Sequence, residues 1–400
     1  MIAQSSRVRP TKRPGADGGG NVSLPLFLHV CPSFEVGGLQ DRTVAILNHL
    51  GPKARHAIIA LDGNYACARR LDANISLEVS DGTWTGAGPI KSFWSSFQAL
   101  GVWRPDLYLT YNWASLEWAA ANLFRHSCPH IHHEDGFGPE ESVRQLTRRI
   151  LFRRLALLRS SALVVPSQSL YRLAREIWRI PPRLLNYIPN GVECRLYRGN
   201  GRETNAAAGP RDLVLGSLAP LRPEKGLDVL LRLAADLSQE HAFKLLIAGD
   251  GPERQKLEAL ADELGLRPRV EFLGQIDGVA EFLSRIDVLV LTSMTEQMPF
   301  SVLQGMAAGR AVAAYDVGDL KEMVADNNRP FVVARGDRRA LQQAMIGLME
   351  NRALRLAVGA ANAQKVEEDY PKSAMLAAHE NLYAALLPAK SRSGFRLPCL

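Results

Sequence analysis

Four hundred residues exceed what one ordinary hydrophobic core organises, so two domains are expected. Hydrophobic residues at 46% and charged residues at 22% exclude a disordered or fibrous class. A net charge of +7 favours an anionic partner, whether nucleotide phosphate, nucleic acid or acidic lipid, and composition does not choose among them.

Residues 1–22 are basic, lack a continuous apolar core and end near Gly18-Gly19-Gly20, which reads as a disordered arm rather than a secretion signal. Leu26–Cys31 then reads as a strand and Leu39–Leu50 as a helix with apolar residues at helical spacing. Strands follow at Ala57–Leu61 and Asp106–Thr110, a helix near Ser115–Phe124, and a strand end at His130–His133. Glu140–Leu158 predicts one long helix, Ala162–Val165 a strand, Ser167 the cap of a helix running through Trp178, and Leu185–Ile188 a last strand. The polar, Gly- and Pro-punctuated stretch 199–211 reads as a linker.

Beyond it the rhythm restarts. Strands are expected at Asp212–Leu218, Lys244–Ala248, Val270–Phe272, Val288–Leu291 and Ala311–Ala314, and helices at Leu227–Leu237 and Glu253–Leu264 among others. From about Arg338 to Leu386 the chain is helical, interrupted by Pro371. Strand–helix alternation implies parallel sheets covered on both faces. The fold class is therefore α/β, with two doubly wound Rossmann-like domains facing a cleft. Residues 23–198 form the first and 212–370 the second; 371–388 pack back on the first, and 389–400 are a tail. Five scattered cysteines (Cys31, Cys67, Cys128, Cys194, Cys399) without a CxxC pair argue against a disulfide framework or a zinc site and fit a reducing cytoplasm. No stretch approaches the roughly 18 apolar residues that span a bilayer.

Two stretches carry chemistry. Leu221-Arg222-Pro223-Glu224-Lys225-Gly226 lies between a strand and a helix, where backbone N–H groups and the positive helix end face outward. Arg222 and Lys225 add two cations, and Gly226 lets a phosphate approach the backbone; a diphosphate suits the set, and a solvated basic loop is the alternative. Thr295-Glu296-Gln297-Met298-Pro299-Phe300, followed by a helix from Ser301, offers a carboxylate and amides suited to sugar and ribose hydroxyls. Alone, Glu296 is more often a helix-start acid favoured by the dipole.

Together these stretches resemble the retaining, nucleotide-sugar-dependent glycosyltransferases called family 4 or group 1, of the two-domain GT-B type. In chain order the resemblance rests on Gly37-Gly38, Pro189-Asn190-Gly191-Val192, Arg222–Gly226, Ala248-Gly249-Asp250-Gly251-Pro252, Phe272-Leu273-Gly274, Asp287-Val288, and Glu296 with Gln304-Gly305-Met306-Ala307-Ala308-Gly309. It implies a nucleoside-diphosphate sugar (UDP-, GDP- or ADP-sugar) bound mainly by the second domain, an acceptor bound mainly by the first, and no metal or other cofactor. By position, Lys225 neutralises the diphosphate, Glu296 meets sugar hydroxyls and Gln304 the ribose; Gly226, Gly249, Asp250, Gly274, Pro299, Phe300 and Ser301 belong to the donor site, and Gly37 and Gly38 line the cleft from the other domain.

Three departures stand out. The family's phosphate-binding Arg sits five residues before the Lys, where this chain has Pro220; Arg222 is the candidate to share its role. Gln304 replaces the second carboxylate of a Glu-x7-Glu pair, losing charge-assisted strength of about 1 kcal/mol. Pro129-His130-Ile131-His132-His133-Glu134-Asp135-Gly136-Phe137-Gly138 occupies the place of a first-domain catalytic His. His132 or His133 orients an acceptor or sugar hydroxyl, or Asp135 accepts its proton; histidines packed at a strand end are the alternative. A metal reading is poorer, because adjacent strand residues point to opposite faces.

Arg144, Arg148, Arg149, Arg153 and Arg154 alternate with Val143, Leu146, Ile150, Leu157 and Leu158 within 141–159. Such a basic amphipathic helix either lies on an anionic membrane or is a solvated outer helix. The expected protein is a hexosyltransferase of bacterial surface polysaccharide, lipopolysaccharide or glycolipid synthesis, cytoplasmic and peripheral on the inner membrane face, acting on a sugar or lipid-linked sugar and not on nucleic acid. A non-catalytic relative that binds nucleotide or membrane is the second reading. A dehydrogenase is disfavoured, since Gly-x-Gly-x-x-Gly is absent.

Overall fold

The computed structural model describes residues 24–35, 37–79, 89–125, 128–137, 139–141, 145–198, 213–392 and 395. The expected arm (1–22), the linker (199–211), Gly138, Val143, Arg144 and Cys399 lie outside them. The chain divides into two units: Met1–Phe137, Val143–Ile188 and Leu376–Leu400 in the first, Gly138–Ser142 and Pro189–Met375 in the second.

The first unit opens with β1 (Leu26–Cys31), whose six residues are all buried. A strand buried on both faces belongs in a parallel sheet covered by helices. It continues through α1 (Gly38–Leu50), β2 (Arg55–Ala60), β3 (Leu77–Val79), α2 (Pro89–Trp103), β4 (Leu107–Tyr111), α3 (Leu116–Arg125) and β5 (His130–His133). Then come α4 (Thr147–Ala156), β6 (Ala162–Val165), α5 (Gln168–Glu176) and β7 (Leu185–Tyr187). Ser167 caps α5, its Oγ accepting the Leu170 N–H at 3.0 Å. The seven strands pair in parallel in the order β3-β2-β1-β4-β5-β6-β7.

Two elements here were not expected. β3 is three half-buried residues, too short to leave an alternating pattern. In α2, PIKSFWSSFQALGVW, serines and aromatics blur the helical period, and Trp94 faces outward. A third expectation is corrected. Instead of one long helix over Glu140–Leu158, a short 3-10 turn (Pro139–Glu141) precedes α4, which starts at Thr147. Its polarity is also reversed. Arg153 is buried, its guanidinium 4.8 Å from the Trp113 ring and 4.6 Å from the Trp178 ring; Arg149 lies 4.7 Å over Trp113. Arg154 donates to the carbonyls of Ile177 and Trp178 at 2.7 and 2.9 Å. Cation–π contacts and backbone acceptors draw these arginines inward, while Leu151, Leu155 and Leu158 face out and Leu157 is buried.

The second unit repeats the winding: β8 (Leu213–Leu218), α6 (Leu227–Leu237), β9 (Phe243–Ala248), α7 (Arg254–Glu263), β10 (Val270–Gly274), α8 (Val279–Arg285), β11 (Val288–Leu291), α9 (Phe300–Ala307) and β12 (Ala311–Asp316). α10 (Leu320–Met323), the unexpected β13 (Val332–Ala334), α11 (Arg338–Glu350) and α12 (Arg352–Asp369) follow. All six strands are parallel, in the order β10-β9-β8-β11-β12-β13. A buried amide pair locks α12 to this sheet. Asn328 bonds both the N–H and the C=O of Val312 (2.9 and 2.8 Å), and Asn362 donates to Asn328 at 2.8 Å.

After Pro371 come α13 (Lys372–Leu386) and α14 (Ala389–Arg392), and from Leu376 the chain belongs to the first unit. Glu380 bonds His49 (2.7 Å) and Lys53 (2.6 Å), Tyr383 lies 6.0 Å from the Phe27 ring, and Ser391 donates to Asp106 at 2.8 Å. Asp106 also accepts the Leu26 N–H at the start of β1. Together these contacts complete one face of the first sheet.

Candidate functional site

In the second sheet β8 and β11 are neighbours, yet the chain winds away from them in opposite directions. Beyond the carboxyl ends of such a pair lies the crevice where doubly wound sheets hold ligands. The turn after β8 and the loop after β11 both open there. After β8, Pro223–Lys225 form a 3-10 turn and Gly226, at φ +60° and ψ +31°, leads into α6. After β11, the segment 292–299 leads into α9, with Pro299 at its cap.

Lys225 and Glu296 meet here: Nζ donates to Oε1 at 2.6 Å, with side-chain exposures of 18% and 13%. Partial burial weakens solvent screening of this pair, so the two charges attract more strongly than on an open surface. Backbone bonds tie the two segments: Met294 N–H to Glu224 O at 2.8 Å, and Thr292 Oγ1 to Lys225 O at 3.2 Å. A Cβ on Gly226 would stand 2.4 Å from the Thr292 carbonyl. The glycine is thus required by the protein's own backbone, and the space it clears belongs to Thr292 rather than to a phosphate.

A third segment, Gly249–Gly251 after β9, is laced to the same turn. Leu221 N–H donates to Asp250 O at 2.9 Å and Gly249 N–H to Gly274 O at 2.8 Å. Gly249 has φ +132°, and a Cβ there would lie 1.9 Å from Ala219 O, so no side chain fits. The Asp250 carboxylate accepts the Gly251 N–H at 2.7 Å and Arg254 Nη1 at 3.3 Å, which employs it in its own turn. Asn190 anchors the other side, donating to Met298 O at 2.8 Å from Nδ2. Arg222 and Pro220 are exposed at the turn, while Phe300, Ser301 and Gln304 are half-buried on the first turns of α9.

The first sheet has its own switch, between β1 and β4. Gly37 and Gly38 open α1 after β1. Asp135, just past β5, is held by Arg42 of α1 through two contacts of 2.6 and 2.7 Å. Its backbone N–H donates to Asn112 Oδ1 at 2.7 Å, and Asn112, at φ +56°, donates its own N–H to His133 O. Sequence reading missed Arg42 and Asn112, which belong to no quoted motif.

His132 and His133 are both fully buried and face opposite ways. His132 Nδ1 bonds Thr110 Oγ1 at 2.7 Å, and its Nε2 lies 3.8 Å from buried Glu134. His133 Nε2 lies 3.2 Å from the Tyr383 hydroxyl, its ring stacked on Tyr111 and His379. Burial, followed by His379 and Arg42, pushes the His133 pKa down and keeps the ring neutral. This geometry gives the packed reading of the two histidines its physical basis and leaves Asp135 as the group of that stretch nearest solvent.

Two family models match in tandem, the glycosyl transferase 4-like domain over residues 37–191 and glycosyl transferases group 1 over residues 203–365. The chain belongs to the group 1, family 4 glycosyltransferases. N-acetyl-alpha-D-glucosaminyl L-malate synthase of Bacillus anthracis is 24% identical over 58% of this chain and 62% of its own length. The lipopolysaccharide core biosynthesis glycosyltransferase LpsD of Rhizobium meliloti is 30% identical over 40% of this chain and 46% of its own. The chain spans about half the length of the curated relatives it matches (43%, 62% and 46% for three). Among solved structures, Anabaena HepE, in complex with UDP and glucose, superposes with a TM-score of 0.76 at 19% identity, covering 90% of this chain and 99% of its own. That likeness shows the fold, two Rossmann-like domains of GT-B type.

For this glycosyltransferase, then, the donor-site residues expected from sequence gather on four segments of one sheet mouth, after β8, β9 and β11 and at the end of β10, with Lys225 and Glu296 in contact. Among the described residues no three His, Cys, Asp or Glu side chains are placed to hold a metal ion, and no helix is long and apolar enough to cross a membrane.

Proposed function

We propose that this glycosyltransferase moves a hexosyl group from a nucleoside-diphosphate sugar to an acceptor hydroxyl, with retention, in the synthesis of a bacterial surface polysaccharide or glycolipid. The observation that carries the reading is the Lys225–Glu296 pair at 2.6 Å, at the switch point of the second sheet. The anomeric C–O bond to the diphosphate breaks, its electron pair stays on the phosphate oxygen, and the acceptor oxygen bonds the anomeric carbon. Lys225, with Arg222 exposed beside it, stabilises the charge that develops on the diphosphate. Glu296 keeps one carboxylate oxygen for sugar hydroxyls while the other holds Lys225, and Gln304 takes the ribose. No metal or other cofactor is assigned a role.

In the first domain Asp135 orients the acceptor hydroxyl. Arg42 engages both of its carboxylate oxygens, so the acceptor proton passes to the departing phosphate. A UDP-sugar donor is favoured by the UDP named in the HepE complex, and a cell-surface product by the name of LpsD. A lipid-linked acceptor brings the protein to the inner face of the cytoplasmic membrane. Within the stretch 141–159, Arg153 is buried while Arg148 and Arg159 are exposed.

Purified protein incubated with a panel of UDP-, GDP- and ADP-sugars is expected to release nucleoside diphosphate and to transfer sugar to a supplied acceptor. Tight nucleotide binding without turnover on any donor would instead establish the non-catalytic reading that Pro220 and Gln304 motivate.

A further inference from the structure

The outer face of α4 is built the wrong way round for a water-facing helix. Leu151 is 57% exposed and Leu155 49%, four residues apart on one face of the helix, and Leu158, just past its end, is 67% exposed. Arg149, Arg153 and Arg154, which solvent would welcome, are turned to aromatic rings and backbone carbonyls instead. Arg148 and Arg159 stay exposed at the two ends of the leucine row.

The apolar surface continues onto neighbouring helices. Arg159 donates to the Leu123 carbonyl at 2.8 Å, which brings the end of α4 beside the end of α3, where Phe124 is 73% exposed. Phe93 then joins Phe124 (5.5 Å between rings) to Trp94 (5.9 Å), itself 57% exposed on α2. Exposed apolar residues scattered singly need no explanation; a contiguous set on adjacent elements marks an interaction surface.

We infer that this face, led by Leu151, Leu155, Leu158, Phe124 and Trp94, seats on an anionic lipid surface. Charge selects that occupant. Of the five arginines in residues 147–159, Arg148 and Arg159 are exposed, the segment has no carboxylate, and α2 carries Lys91 and no carboxylate. Aliphatic side chains enter the acyl boundary, Trp and Phe suit the headgroup level, and Arg148 and Arg159 reach lipid phosphates from the rim. The inference deepens the lipid-linked acceptor reading and rests on it for its purpose, but the two fail separately, since lipid binding is read without any donor present.

The test is flotation of the full chain with vesicles of phosphatidylcholine alone or mixed with phosphatidylglycerol. Wild type is expected to float with the anionic vesicles and to be released as salt rises. Leu155→Asp with Leu158→Asp, at positions exposed enough to leave thermal unfolding unchanged, is expected to lower partitioning at least about tenfold. Arg148→Glu should weaken it less and make it less salt-sensitive. Absence of flotation, or flotation of the double variant equal to wild type, overturns the inference. So does a wild-type dimer in solution that the double variant converts to monomer, which would make a second copy the occupant.

Discussion

Arg42 grips Asp135 with both terminal nitrogens, from a side chain only 2% exposed to one 15% exposed. The first domain thereby fixes a carboxylate at the mouth of its sheet using a helix 93 residues away in sequence. Removing the cation leaves a largely buried carboxylate uncompensated. Arg42→Ala should therefore cost about 3 kcal/mol in urea unfolding. Asp135→Asn, which keeps the shape, should cost less stability while lowering turnover at least about tenfold with donor affinity intact. Unchanged turnover in Asp135→Asn would remove it from acceptor orientation.

Lys225→Ala should reduce turnover by about two orders of magnitude or more, because the proposed mechanism then loses a positioned cation where charge develops. Glu296→Gln, which keeps a hydrogen-bond acceptor for Lys225, should raise KM for the donor more than Lys225→Gln does. Steady-state kinetics on the best donor separate the two. Equal, small effects would assign the pair to holding the loop after β11.

Acid should unfold the first domain early. His29, His56, His130 and His133 are buried and neutral; burial lowers each pKa, that of His56 to about 4, and His56 in turn lowers His29. Unfolded histidines titrate near 6.5, so the unfolded chain binds more protons below that value. The stability conferred by keeping these rings neutral is full above pH 6.5 and lost as pH falls toward 4. His56 alone accounts for a loss on the order of 3 kcal/mol across that window. Urea midpoints between pH 7.5 and 4.5 should fall steeply for wild type and less steeply for His56→Gln; parallel slopes would refute this assignment.

Two glycines with positive φ should behave differently. Gly265 (φ +70°) has open space where a Cβ would go, so Gly265→Ala should cost about 1 kcal/mol of backbone strain. At Gly249 a Cβ would meet Ala219 O at 1.9 Å, and Gly249→Ala should displace the turn that carries Lys225. Chemical denaturation together with donor affinity should show both falling for Gly249→Ala and only stability for Gly265→Ala.

How legible was this in the sequence? Strands such as Leu26–Cys31 and Val288–Leu291 were plain because parallel strands buried on both faces are unbroken apolar runs. β3 and β13, three residues each, lack the length to signal themselves. Lys225 and Glu296 were readable as motif residues, but their mutual bond was not, since 71 residues separate them. Arg42 carried no local signal; only the return of β5 beside β4 gives it a partner. Arg153 misled, because a helical wheel assigns arginine to water and cannot foresee Trp113 and Trp178 waiting on either side.

The helix α13 has a consequence for biosynthesis. Residues 24–188 leave the ribosome first, but their sheet lacks Tyr383, Glu380 and Phe395 until some 190 further residues have been made. During that interval Phe27 and the histidines beside it have no cover on that side. The first domain is thus completed after the second, and a nonsense mutation shortly before Leu376 would leave the second fold whole while stranding the first as a client for chaperones and proteases.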